Sequence, residues 1–193
     1  MKMNIYLAGV GGQGLITFAT VLGEAALRAG LNVIVAETHG LSQRGGSVDV
    51  HVRLGDVEAP LIPLGGADAV VAFEILEAFR ALKYANKETL ILVNRRVIRP
   101  PGPGVKIPDL DYLESRLLEA SPRVRLIDAY GQALKLGDVI FENMVMLGAL
   151  YASTQLKDYI AVKDIEEAIR EVIGKAVEKN IEAFRVGARL ING

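Results

Sequence analysis

The sequence contains no cysteine. That excludes disulfides, thiolate nucleophiles, cysteine-ligated zinc and cysteine-held iron–sulfur clusters within this chain. Only two histidines occur, His39 and His51, too few for a multi-histidine metal site, so neither a metal ligand set nor a catalytic residue is assigned. Charge of one sign is lacking as well: 22 Lys and Arg balance 23 Asp and Glu, for a net charge of −1. No basic surplus marks the chain for nucleic acid. Arg95, Arg96 and Arg99 do cluster, but beside a proline-rich loop, and read as solvated surface. No apolar run is long enough to span a bilayer. Met1-Lys2-Met3-Asn4 leads directly into the first strand, with no signal-peptide pattern. The cytoplasm is the expected location.

What is present is concentrated in one loop, Gly9-Val10-Gly11-Gly12-Gln13-Gly14. Residues 4–8 lead into it as a short buried strand. An apolar helix from Leu15 to Ala29 leads out and ends at Gly30, a C-cap glycine. Residues 32–37 form a second, β-branched strand, completing a strand–helix–strand unit with a right-handed crossover. Glycines in such a turn allow positive φ and close approach, and the free N–H groups of the helix start favour an anion.

The polar stretch Thr38–Ser47 follows. Residues 48–54 then alternate apolar and polar, which predicts a strand with one wet or interface face, antiparallel or at an edge. His51, with Asp49 and Arg53, falls on that polar side and reads as exposed or interfacial. Core strands are expected at 69–73, 89–93 and 123–127. Helices are expected at 75–84, 111–120, capped by Asp109 or Asp111, and 129–136, capped by Asp128. Pro100-Pro101-Gly102-Pro103-Gly104 must be loop. From residue 137 only helical periodicity remains, with Gly174 interrupting it and Ile181, Phe184, Val186 and Leu190 continuing it. The expected architecture is α/β: a Rossmann-like, mostly parallel sheet with helices on both faces and a helical C-terminal third, forming a single domain over 1–193.

Gly9, Gly11 and Gly14 satisfy the dinucleotide fingerprint, and Glu37 stands where a ribose-binding acid would. Two features argue against that reading. The loop after the second strand carries Ser42, Gln43 and Arg44 followed by Gly45 and Gly46, a polar set suited to a phosphate, a carboxylate or another protein. The chain also lacks an evident acid or base for hydride chemistry.

With both loops in view, the sequence resembles the gamma-type subunits of the 2-oxoacid:ferredoxin oxidoreductases. The likeness rests on Gly9–Gly14 and on Glu37-Thr38-His39-Gly40-Leu41-Ser42-Gln43-Arg44-Gly45-Gly46-Ser47. Three further stretches agree: Ala67-Asp68-Ala69 leading into Phe73–Arg80, Asn94, and Asn143–Leu150. The wording of residues 39–44 favours the small beta subunit of the indolepyruvate branch. The resemblance implies a subunit, inactive alone, of a complex that oxidatively decarboxylates a 2-oxo acid. Thiamine diphosphate and iron–sulfur clusters are then held by a larger catalytic partner, the acyl group passes to coenzyme A, and electrons pass to ferredoxin through the complex. The absence of cysteine fits that division.

The expected binding residues are Gly9, Gly11, Gly12, Gln13, Gly14, Ser42, Gln43, Arg44, Gly45 and Gly46. They form a two-loop surface over the partner's thiamine site, with Gln13 and Gln43 bonding substrate or partner and Arg44 meeting coenzyme A. Mean hydropathy of +0.29 fits an obligate partner. Two alternatives stay open at this point: a stand-alone NAD(P)- or FAD-dependent oxidoreductase, and a purely structural assembly subunit.

Overall fold

A computed structural model describes residues 1–39, 46–99 and 104–192. Six strands form one sheet: β1 (Lys2–Val10), β2 (Val33–His39), β3 (Ser47–Gly55), β4 (Ala69–Ala72), β5 (Leu90–Asn94) and β6 (Val124–Ile127), in the order β2-β3-β1-β4-β5-β6. β1, β4, β5 and β6 run parallel, and β3 is antiparallel to both its neighbours. The parallel strands are apolar on both faces, because helices cover both.

The helices are α1 (Leu15–Arg28), α2 (Ile75–Ala81), α3 (Leu110–Ala120), α4 (Ala129–Leu136), α5 (Glu142–Ser153), α6 (Leu156–Tyr159), α7 (Val162–Val172) and α8 (Val177–Asn192). Alternate residues of β1 divide the core. Ile5 and Leu7 pack with α1 and α4–α8, whereas Tyr6 and Ala8 pack with α2 and α3. Helix α5 is apolar around its circumference, and its residues 142–152 are all buried, which makes it an internal helix.

Local signals explain most boundaries. Gly30 (φ 77°) closes α1 with its N–H on Leu27 O, while Leu31 N–H reaches Ala26 O, the paired C-terminal bonds that satisfy the last carbonyls. Asp109, rather than Asp111, caps α3 by accepting from Tyr112 N–H, and Asp128 caps α4 by accepting from Gly131 N–H. Gly174 lies in the break between α7 and α8. Leu190 was expected on the buried face of α8, but it is 39% exposed.

Two expectations need correction. β1 and β2 share a direction but are not neighbours, because β3 lies between them. The β1–α1–β2 unit therefore spans a strand instead of closing a simple βαβ. Second, the polar face of β3 is partly exposed only at Ser47 and Asp49 and is buried further along the strand. His51 and Arg53 are 2% and 7% exposed. A strap formed by residues 56–66 covers them: Arg53 donates to Ala59 O, Leu61 O and Asn4 Oδ1, and His51 Nδ1 accepts from Ile62 N–H at 3.0 Å. Tyr6 and Tyr84 meet the His51 ring edge-on. A buried polar side chain is tolerated when bonded, and alternation alone does not reveal a covering strap.

His51 supplies a pH signature. Burial lowers its pKa, Asp49 opposes the shift and Arg53 adds to it. The free imidazole titrates near 6.5. Its contribution to folding is thus fully present above about pH 6.5 and is lost as pH falls through the lower folded value. Urea unfolding between pH 8 and pH 5 should show a steeper loss for wild type than for His51→Gln. Equal slopes would contradict the assignment.

Candidate functional site

The glycine loop lies at the C-terminal edge of the parallel strands, where ligands of such sheets bind. Gly9 sits within β1 against its surroundings: an added Cβ would stand 2.8 Å from the Leu15 side chain and 3.0 Å from both Gln13 and Phe73. Gly11 N–H donates to Gly46 O at 3.0 Å. Val10 pairs with Ser47 across β1 and β3, so the end of the second loop is held directly against the first. Gly14 caps α1 at φ 77°. A Cβ there would stand 2.6 Å from Asn143 Nδ2, which itself donates to Gly14 O at 3.3 Å. The first turn of α1 has no side-chain cap and no acidic residue. Ser42, Gln43, Arg44 and Gly45 lie outside the described residues, as do residues 100–103 of the proline-rich stretch.

Gln13 is bonded from inside the loop. It is 7% exposed, and its polar atoms bond internally. Oε1 accepts from Val10 N–H at 2.9 Å, and Nε2 donates to Phe73 O at 2.8 Å and approaches Glu142 Oε1 at 3.4 Å. The side chain fills the inside of the loop and fixes its shape. Both ends are engaged within the protein, and the side chain lines the cleft next to Gly12 and Gly14.

The loop forms one wall of a cleft of about 740 Å³. Arg96 and Ile98 beyond β5, Glu142 and Asn143 opening α5, and Lys175 in the α7–α8 break complete it. The expectation that the Arg95–Arg99 cluster is solvated surface holds for Arg95, which pairs with Glu114, and for the exposed Arg99. It fails for Arg96, which turns inward to Glu142 at 2.7 Å. Glu142 is 3% exposed. Neither it nor Lys175 carries a local sequence signal; Asn143 opens the stretch Asn143–Leu150 of the family resemblance.

A smaller hollow of about 340 Å³ opens on the other side of the loop and reaches Glu37. Because β3 intervenes, the Glu37 strand lies two strand spacings from β1, about 10 Å, rather than one. Glu37 therefore faces the loop across this hollow rather than from the strand next to β1, as it would in a dinucleotide fold.

The fold matches that of the 2-oxoglutarate:ferredoxin oxidoreductase from Magnetococcus marinus, solved with 2-oxoglutarate, coenzyme A and succinyl-CoA bound. The TM-score is 0.75 at 24% identity, covering 99% of this chain and 31% of that one. The model of the pyruvate ferredoxin/flavodoxin oxidoreductase family matches residues 4–190. The chain belongs to that family. Similar relatives include the indolepyruvate oxidoreductase subunit IorB of Archaeoglobus fulgidus, 46% identical over 97% of this chain and 94% of that protein. The IorB subunit of Methanothermobacter thermautotrophicus is 40% identical over 97% and 96%.

Proposed function

We propose that this chain, read as one domain over residues 1–193, is the small subunit of an indolepyruvate-type 2-oxoacid:ferredoxin oxidoreductase. Its two loops cover the thiamine diphosphate site of a larger catalytic chain, and its cleft receives the phosphate-bearing end of coenzyme A. One observation carries the reading: the Gly11–Gly46 hydrogen bond joins the two loops at the edge of the cleft. A helix start with no side-chain cap, Arg96 and Lys175 border that space, a donor set suited to phosphate. Support for the substrate branch comes from the two indolepyruvate oxidoreductase relatives. The clusters belong to the partner on this reading, because this chain has no cysteine to hold them. Ferredoxin is reached through the complex, and the complex works in the cytoplasm. No helix among the described residues is long and apolar enough to cross a membrane.

The test is Arg44→Ala in the reconstituted complex. Loss of one charge-assisted contact, worth about 1.5–3 kcal/mol, raises KM for coenzyme A by about tenfold or more with assembly intact. Unchanged turnover, coenzyme A affinity and assembly would overturn the proposed role of the loops and favour a purely structural one.

A further inference from the structure

Three elements of the cleft wall meet at one carboxylate. The Glu142 side chain is 4% exposed. Its Oε1 faces Gln13 Nε2 from the glycine loop at 3.4 Å, and its Oε2 accepts from Asn94 Nδ2 at the end of β5 at 3.2 Å. Both oxygens also accept from Arg96 Nη1, at 2.7 and 2.8 Å. An arginine–carboxylate fork ordinarily uses two nitrogens. Here one nitrogen serves both oxygens. Among the described residues, Arg96 Nε and Nη2 make no hydrogen bond. The guanidinium lies 4.5 Å from the centre of the Tyr130 ring, is 27% exposed and lines the cleft.

We infer that Arg96 is an anion-binding side chain of the cleft and that Glu142 is its positioning residue, holding Arg96 and the glycine loop in one arrangement. Fixed from behind by Glu142 and stacked on Tyr130, the guanidinium keeps donors for a group entering from solvent, at little further cost in side-chain order. Lys175 and the start of α1 border the same space. Cationic and N–H donors converging from several elements suit a phosphate ester, whose oxygens point in several directions. The inference rests on the reading of this cleft as the coenzyme A side of the subunit, and it adds which residues meet the phosphate and what holds them. The phosphate is either the 3′-phosphate or the pyrophosphate of coenzyme A.

The experiment uses the reconstituted complex with coenzyme A, dephospho-coenzyme A and pantetheine as acyl acceptors. Arg96→Ala should raise KM for coenzyme A about tenfold or more and shrink the preference in kcat/KM for coenzyme A over pantetheine. If the effect persists with dephospho-coenzyme A, Arg96 meets the pyrophosphate; if it vanishes there, the 3′-phosphate. Glu142→Gln should raise the same KM while leaving the Arg96 charge in place. The double variant should be no worse than Arg96→Ala alone, because the two act as a unit. Independent, additive effects would overturn the positioning role. Should Glu142→Gln fail to assemble, Arg96→Lys decides: an ammonium cannot hold the carboxylate and present a planar fork together, so it should recover less than half of the loss in binding free energy. Full recovery would contradict the inference. If Arg44→Ala moves KM for coenzyme A and Arg96→Ala does not, the reading of the site stands and this inference is wrong. If neither moves it, the reading itself fails.

Discussion

Alanine at Gly148 should lower the thermal midpoint by about 4–8 °C. Helices α5 and α8 cross with their backbones in direct contact. A Cβ on Gly148 would stand 1.9 Å from Phe184 O and 2.7 Å from Ala188 N, and one on Gly187 would stand 1.9 Å from Val145 O. These are backbone atoms on both helices, so no rotamer change makes room, and the helices must part. Overpacking of this kind costs about 3 kcal/mol, and a chain of this size loses about 2–4 °C per kcal/mol. Helix propensity acts the other way, favouring alanine by about 1 kcal/mol, so the sign of the result discriminates. A midpoint that stays or rises would mean that the helices do not touch as described. The same change should reach the cleft, because α5 opens with Glu142 and Asn143, which bond the glycine loop.

The second large effect is expected at Gln13→Glu. The substitution keeps the shape and the acceptor for Val10 N–H. It replaces the Nε2 donor by an oxygen facing Phe73 O and the Glu142 carboxylate. Two buried carboxylates then share one site, and the new one holds its proton above the usual value near 4.3. A raised folded pKa costs nothing below the unfolded value, and the cost grows as pH rises toward the folded one. Variant and wild type should unfold at similar urea concentrations near pH 4. They should differ by about 3 kcal/mol near pH 7, the scale of an uncompensated buried charge. A gap independent of pH would show that Gln13 Nε2 does not face Glu142. Loss of coenzyme A-dependent turnover in the complex should accompany the destabilised range.

The fold was largely legible because its signals are local. Glycine at the turn out of β1, Gly30 after α1, Asp109 and Asp128 at helix starts, the β-branched run in β2 and the apolar runs in β4 and β5 each act within a few residues. Strand order was not, since no local feature states that β3 inserts between β1 and β2. That insertion puts Glu37 two strands from β1, across a hollow from the glycine loop, rather than on the adjacent strand that the fingerprint suggested. His51 was misjudged for a related reason: the strap of residues 56–66 that buries it carries no periodicity.

The site was legible in part. The glycine loop follows from its glycine-rich stretch, whereas its hydrogen bond to Gly46 is visible only in the structure. Gln13 was noticed for its amide, but its partners, Phe73 and Glu142, lie 60 and 129 residues away in sequence. Arg96 looked like one of three surface arginines, and only the arrival of α5 behind β5 distinguishes it. Long-range polar networks of this kind are written in pairs of residues, and neither member announces the other.

We propose that this chain is a required subunit with no complete active site of its own. Turnover measured with the larger chain alone, with this chain alone, and with the two reconstituted tests it most directly. Indolepyruvate, pyruvate and 2-oxoglutarate would be supplied in turn, with coenzyme A and a ferredoxin acceptor. Activity is expected only for the reconstituted complex, highest with indolepyruvate. Full activity of the larger chain by itself, or oxidoreductase activity of this chain by itself with NAD(P)H or FAD, would contradict it.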